Sequence, residues 1–99
     1  MNNLNINKEH LYTLCKKHNV ENLYLFGSAL TDRFSNESDV DILVKFLPTD
    51  LFQYFNNYIS LKENLEKIFG RNVDLVEEQT LKNPVLIRTI NRNKQQIYG

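Results

Sequence analysis

Aspartate at two alternating positions in a run of valine, isoleucine and leucine is the feature that most restricts this sequence. In Asp39-Val40-Asp41-Ile42-Leu43-Val44 the apolar residues ask for a buried strand, yet aspartate is depleted in strands and costly to bury without a partner. Strand alternation reconciles the two: Asp39, Asp41, Leu43 and Lys45 point one way, and Val40, Ile42, Val44 and Phe46 the other. Both carboxylates therefore share a face and need a compensating charge. A divalent cation held together with phosphate oxygens suits such hard ligands.

A second apolar run, Leu23-Tyr24-Leu25-Phe26, reads as a strand covered on both faces and stops at Gly27-Ser28. Glycine lets the backbone approach a ligand closely, and free amides at a following helix start favour anions. The spacing predicts one or two helical turns over 28–34 and a loop over 35–38. Each motif alone is common. Gly-Ser, ten residues, then Asp-x-Asp arises from background composition in on the order of one chain in a thousand of this length.

The rest of the chain frames these two strands. Leu11, Leu14, Cys15 and His18 recur at helical spacing between Asn7, a capping residue, and Asn19, a left-handed stop. Cys15 and His18 then read as a core thiol and a boundary imidazole, and His10 as a surface residue. Pro48 ends the second strand, Thr49 or Asp50 caps a long helix over 51–69, and Gly70 closes it. Phe52 and Ile59 widen its apolar stripe well beyond the ~100° that one core requires, so its first half is expected to face a partner. A third strand over 72–76 carries Asp74, a third carboxylate able to complete a two-metal site if this strand lies beside the second. Asn83-Pro84 opens a helix bearing Leu86, Ile87 and Ile90, and 95–98 reads as an edge strand that includes Tyr98. Arg71, Arg88, Arg92 and Lys94 read as solvated charges.

These elements describe one α+β domain (a two-layer α/β arrangement) over residues 1–99, with the asparagine-rich residues 1–6 frayed. Lys+Arg 12 against Asp+Glu 12 removes the electrostatic footprint of a general nucleic-acid binder. A single cysteine rules out an intramolecular disulfide, and no apolar run of membrane-spanning length or signal segment is seen, so a reducing, cytoplasmic setting is expected.

The pattern Gly27-Ser28-x10-Asp39-x-Asp41, followed by Val73-Asp74-Leu75-Val76, resembles the minimal nucleotidyltransferases of the DNA polymerase beta superfamily, often paired as antitoxins with HEPN-domain toxins. The resemblance implies a nucleotidyltransferase fold with a small mixed sheet packed against helices. It also implies ATP as substrate, a two-ion Mg²⁺ site on Asp39, Asp41 and Asp74 as the catalytic acids, and phosphate contacts from Gly27, Ser28 and Arg33. The implied reaction is transfer of AMP to a hydroxyl, expected to be a tyrosine, of a partner HEPN toxin. Relatives often carry an arginine shortly after Gly-Ser with a glycine behind it, where this chain has Thr31-Asp32 and then Arg33. Two alternatives stand beside this reading: an antitoxin that binds nucleotide and metal but neutralises its toxin by binding alone, and a nucleotidyltransferase acting on an aminoglycoside. The length leaves no second lobe for an acceptor, which favours an acceptor carried by a partner protein.

Overall fold

The computed structural model describes residues 6–27 and 39–99. Within them, helix α1 (Lys8–Lys17) starts where the Asn7 side chain accepts the His10 amide at 3.1 Å, and it gives way at Asn19, whose φ of 58° turns the chain into strand β1 (Val20–Phe26). Strand β2 (Val40–Phe46) leads to α2 (Leu51–Phe69), capped by Asp50 on the Gln53 amide at 2.8 Å and closed by left-handed Gly70. Strand β3 (Val73–Glu77), a single 3₁₀ turn (Glu78–Thr80), α3 (Pro84–Asn93) and β4 (Gln95–Tyr98) complete the described chain. Asn83 caps α3 by accepting the Val85 and Leu86 amides, with Pro84 in the first turn where a missing N–H costs nothing.

The four strands form one mixed sheet in the order β3-β2-β1-β4. β1 runs antiparallel to both neighbours, whereas β2 and β3 are parallel, with α2 as the crossover between them. α1 and α2 lie on one face and bury the main core, to which Leu11, Cys15, Leu23, Leu25, Ile42, Leu61, Leu65 and Leu75 contribute. The first strand departs from its expectation: Leu23 and Leu25 are buried but Tyr24 and Phe26 only half-buried. Its antiparallel setting lets one face stay open, and large aromatic rings cover that face without complete burial.

Two sets of polar contacts hold the helices in place. The His18 ring, buried at the end of α1, makes 2.8 Å contacts through Nδ1 to the Leu14 carbonyl and through Nε2 to Ser60 Oγ on α2. A carbonyl only accepts, so Nδ1 carries a proton and donates it to the Leu14 carbonyl, while Nε2 pairs with the Ser60 hydroxyl. At the sheet edge, α2 satisfies groups of β3 that no further strand pairs: Glu66 accepts the Val73 amide at 3.0 Å, and the Tyr58 hydroxyl donates to the Leu75 carbonyl. Such side-chain cover blunts an edge that would otherwise template pairing with another chain. Among the described residues no helix is long and apolar enough to cross a membrane.

Candidate functional site

Parallel register sets Asp41 beside Asp74, between the pairs Val40–Val73 and Ile42–Leu75. In-register neighbours share a face, and because Ile42 and Leu75 are buried toward α2, Asp41 and Asp74 stand on the opposite face. Asp39 precedes β2, exposed, one alternation before Asp41. The expected strand start at Asp39 therefore moves to Val40, which leaves Asp39 just outside the paired strand.

Antiparallel register pairs Phe26 with Asp41, so β1 ends alongside this carboxylate. Gly27 follows with φ at 71°, and a Cβ added there would overlap the Asp41 carboxyl group. Glycine is thus required twice, by a left-handed backbone and by the close approach of main chain to acid. The fold brings together Gly27, Asp41 and Asp74. Ser28 and Arg33, together with Thr31, Asp32 and the expected short helix over 28–34, lie outside the described residues, as do residues 1–5.

Among the described residues no three Asp, Glu, His or Cys side chains converge closely enough to form a complete metal cage. The donor chemistry nevertheless fits Mg²⁺, which keeps several waters and takes one or two carboxylates plus substrate phosphates. Asp41 is half-buried and Asp74 exposed on the same face, and Asp39 is exposed just before β2, so water and a phosphate chain have access to all three.

The floor of that face extends from the acids under α3. Leu43, two residues beyond Asp41, and Ile90 of α3 are buried apart from the main core, and they border a hollow of about 300 Å³ with Ile87, Asn91 and Lys94. Lys94 is not the free surface charge expected: its Nζ lies 4.1 Å from the centroid of the Tyr24 ring, a cation–π contact that fixes the end of α3 over β1. The signal in the sequence was the return of the chain to an edge strand immediately after this helix.

A further residue escaped the sequence reading. β3 runs one residue beyond its expected end, and this adds Glu77, only 6% exposed, on the α2 side of the sheet with Val73 and Leu75. Burial pushes its pKa up, the Gln79 amide draws it back, the Glu78 charge raises it again and the Thr80 amide opposes that. Its Oε1 accepts no hydrogen bond. Cys15 is fully buried and its thiol is pushed up to about 12 by desolvation, which makes it an inert core residue.

Comparison with known proteins converges on one family. A Methanocaldococcus jannaschii chain carrying a provisional protein-adenylyltransferase name is 35% identical over 86 residues, 87% of this chain and 85% of its own. The protein adenylyltransferase MntA of Thermococcus cleftensis is 36% identical over 78 residues, 77% of this chain and 74% of its own. The fold matches that of a chain in the structure of the tri-AMPylated Shewanella oneidensis HEPN toxin in complex with MNT antitoxin, with a TM-score of 0.60 and 23% identity over 94% of this chain and 70% of that one. Residues 9–99 match the sequence profile described as Polymerase beta, Nucleotidyltransferase, and with the Gly27–Asp41–Asp74 geometry beneath that match the chain belongs to the polymerase beta nucleotidyltransferase family.

Proposed function

We propose that residues 1–99 act as one minimal nucleotidyltransferase domain that transfers AMP from ATP to a tyrosine hydroxyl of a partner HEPN toxin and thereby serves as its antitoxin. The observation that carries this reading is the pairing of Asp41 with Asp74 beside a glycine whose backbone abuts the first acid. The adenylyltransferase relative from Thermococcus cleftensis supports the reaction, and the complex of AMPylated HEPN toxin with MNT antitoxin, which contains a chain of the same fold, supports the acceptor. The buried free thiol of Cys15 is compatible with a reducing cytoplasm.

In this mechanism Gly27 presents main chain to the triphosphate, with Ser28 and Arg33 as further phosphate contacts. Asp39, Asp41 and Asp74 are the residues that would hold Mg²⁺ together with the triphosphate, and the ion would supply Lewis-acid activation of the acceptor hydroxyl and neutralise charge on pyrophosphate. Asp74, the exposed member on the outer strand, takes the hydroxyl proton as the tyrosine oxygen bonds to the α-phosphorus. The bond between the α-phosphorus and the bridging oxygen breaks, and pyrophosphate leaves with that electron pair. The sheet supplies rigidity: two acids on paired strands keep their spacing through the reaction.

The test is intact-mass measurement of the purified HEPN toxin after incubation with this chain, ATP and Mg²⁺. Adenylyl additions that disappear with Asp39→Asn/Asp41→Asn are the expected result. Inhibition of the toxin with no added mass, unchanged in that double variant, would instead establish neutralisation by binding alone, the reading that Thr31-Asp32 favours. Pyrophosphate release that needs an aminoglycoside and no protein acceptor would refute both.

A further inference from the structure

Glu77 lies away from the acid face, and its surroundings have a composition of their own. Two hollows, of about 400 and 440 Å³, both border Tyr54 and Glu77. One runs between α2 and the end of β3 past Phe55, and the other between the start of α2 and the β2–α2 connection past Leu47 and Leu51. Along this groove α2 leaves Leu51 and Phe55 exposed, Leu51 to 70%. An apolar rim this open is uncommon on an isolated surface and marks a contact site.

The floor identifies the occupant. A buried carboxylate is costly unless a donor or a cation compensates it. Glu77 Oε1 has no hydrogen-bond partner, and among the described residues no lysine, arginine or histidine forms an ion pair with Glu77. The Gln79 and Thr80 amides serve the carboxylate but leave Oε1 open, and the group that best completes it is a charged donor supplied from outside. Tyr54 and Phe55 beside it offer ring faces against which a guanidinium or ammonium can rest on its way to the carboxylate.

We propose that the groove between α2 and β3 is the surface through which this chain captures its HEPN toxin, by taking one arginine or lysine that projects from an apolar segment of the toxin. The identity of the partner rests on the proposed function; the groove and the charge it selects rest on Glu77, Tyr54 and the exposed residues of α2. The groove is on the α2 side of the sheet and the acids are on the other. A toxin anchored here leaves the acid face free for an acceptor hydroxyl, brought by an extended segment passing round the sheet edge or by a second toxin copy.

The experiment is calorimetric titration of the purified chain with the purified HEPN toxin, repeated with Glu77→Gln, Phe55→Ser and the control Glu63→Gln, an exposed carboxylate of α2 that borders neither hollow. Glu77→Gln and Phe55→Ser are each expected to weaken binding about tenfold or more, as central interface positions do, with Glu63→Gln within about twofold. Glu77→Gln removes a buried charge at constant shape, and thermal melts that show it folded exclude misfolding as the cause. Toxin binding retained within about twofold in all three variants overturns the groove and leaves the adenylyltransferase reading intact. Failure of the unmodified chain to bind the toxin at all overturns both. Concentration-dependent self-association of the isolated chain in sedimentation, abolished by Glu77→Gln, would assign the groove to a second copy and overturn the toxin as its occupant.

Discussion

Replacing Gly27 by alanine puts the geometry of the acid face to a quantitative test. At φ 71° a residue with a Cβ pays roughly 1–2 kcal/mol for the left-handed conformation. The new methyl group would overlap the Asp41 carboxyl, and pushing that side chain off its rotamer adds about 0.5–1.5 kcal/mol. The sum, about 1.5–3.5 kcal/mol, lowers the melting temperature of a domain this size by roughly 6–28 °C. Gly70 supplies a matched control, because its φ is 68° but an added Cβ would have nothing within 4 Å, so Gly70→Ala should show the backbone cost alone. Melts of the two variants by circular dichroism, with and without Asp41→Ala, isolate the clash: the excess cost of Gly27→Ala should vanish once the carboxylate is gone. Adenylyl transfer by Gly27→Ala should fall on the order of a hundredfold, since displacing an acid by about 1 Å costs that much. A Gly27→Ala protein that melts no lower than Gly70→Ala and transfers AMP at the normal rate would refute the close approach of Gly27 to Asp41.

Three other outcomes follow from buried groups. His18→Ala removes both ring contacts and leaves a cavity between α1 and α2, so urea unfolding should show a loss of about 2–4 kcal/mol, against about 1 kcal/mol for Ser60→Ala. Glu77 has a folded-state pKa raised chiefly by burial, so the folded protein favours its protonated form and loses stability as pH rises through that value. Glu77→Gln should therefore be more stable by about 1–3 kcal/mol near pH 7, with the advantage shrinking as pH falls from the raised folded-state value toward the ordinary glutamate value of 4.5 and lost below it. Cys15, pushed up to about 12, should resist thiol reagents at pH 8 in the native state and react at the rate of unfolding when urea is added.

The parts legible from sequence were those in which a residue's type conflicts with its neighbours. Aspartate in a run of valine and isoleucine admits few solutions, and the period of two placed Asp39 and Asp41 on one face without knowledge of any partner strand. Asp74 was found by the same conflict, and its placement opposite Asp41 followed from parallel pairing across a helical crossover. Glu77 offered no such conflict: a glutamate after five expected strand residues reads as the return to solvent, and its burial depends on where Tyr54 and Phe55 arrive from a helix that begins 26 residues earlier.

The position of α3 shows why tertiary placement needed more than its apolar stripe. Leu86, Ile87 and Ile90 announced a helix with a buried side but not which face of the sheet it would cover. Strand order decides the matter. β3 and β4 occupy opposite edges of the sheet, so the connection between them must cross β2 and β1, and α1 and α2 already cover one face. The connecting helix is left with the other face, which is the one bearing Asp41 and Asp74. Ile90 consequently sits with Leu43 at the hollow beside the acids, and Lys94 arrives over Tyr24. The edge strand read from the four residues after α3 already contained this constraint: once β4 is required to pair with β1, the preceding helix has to roof the site.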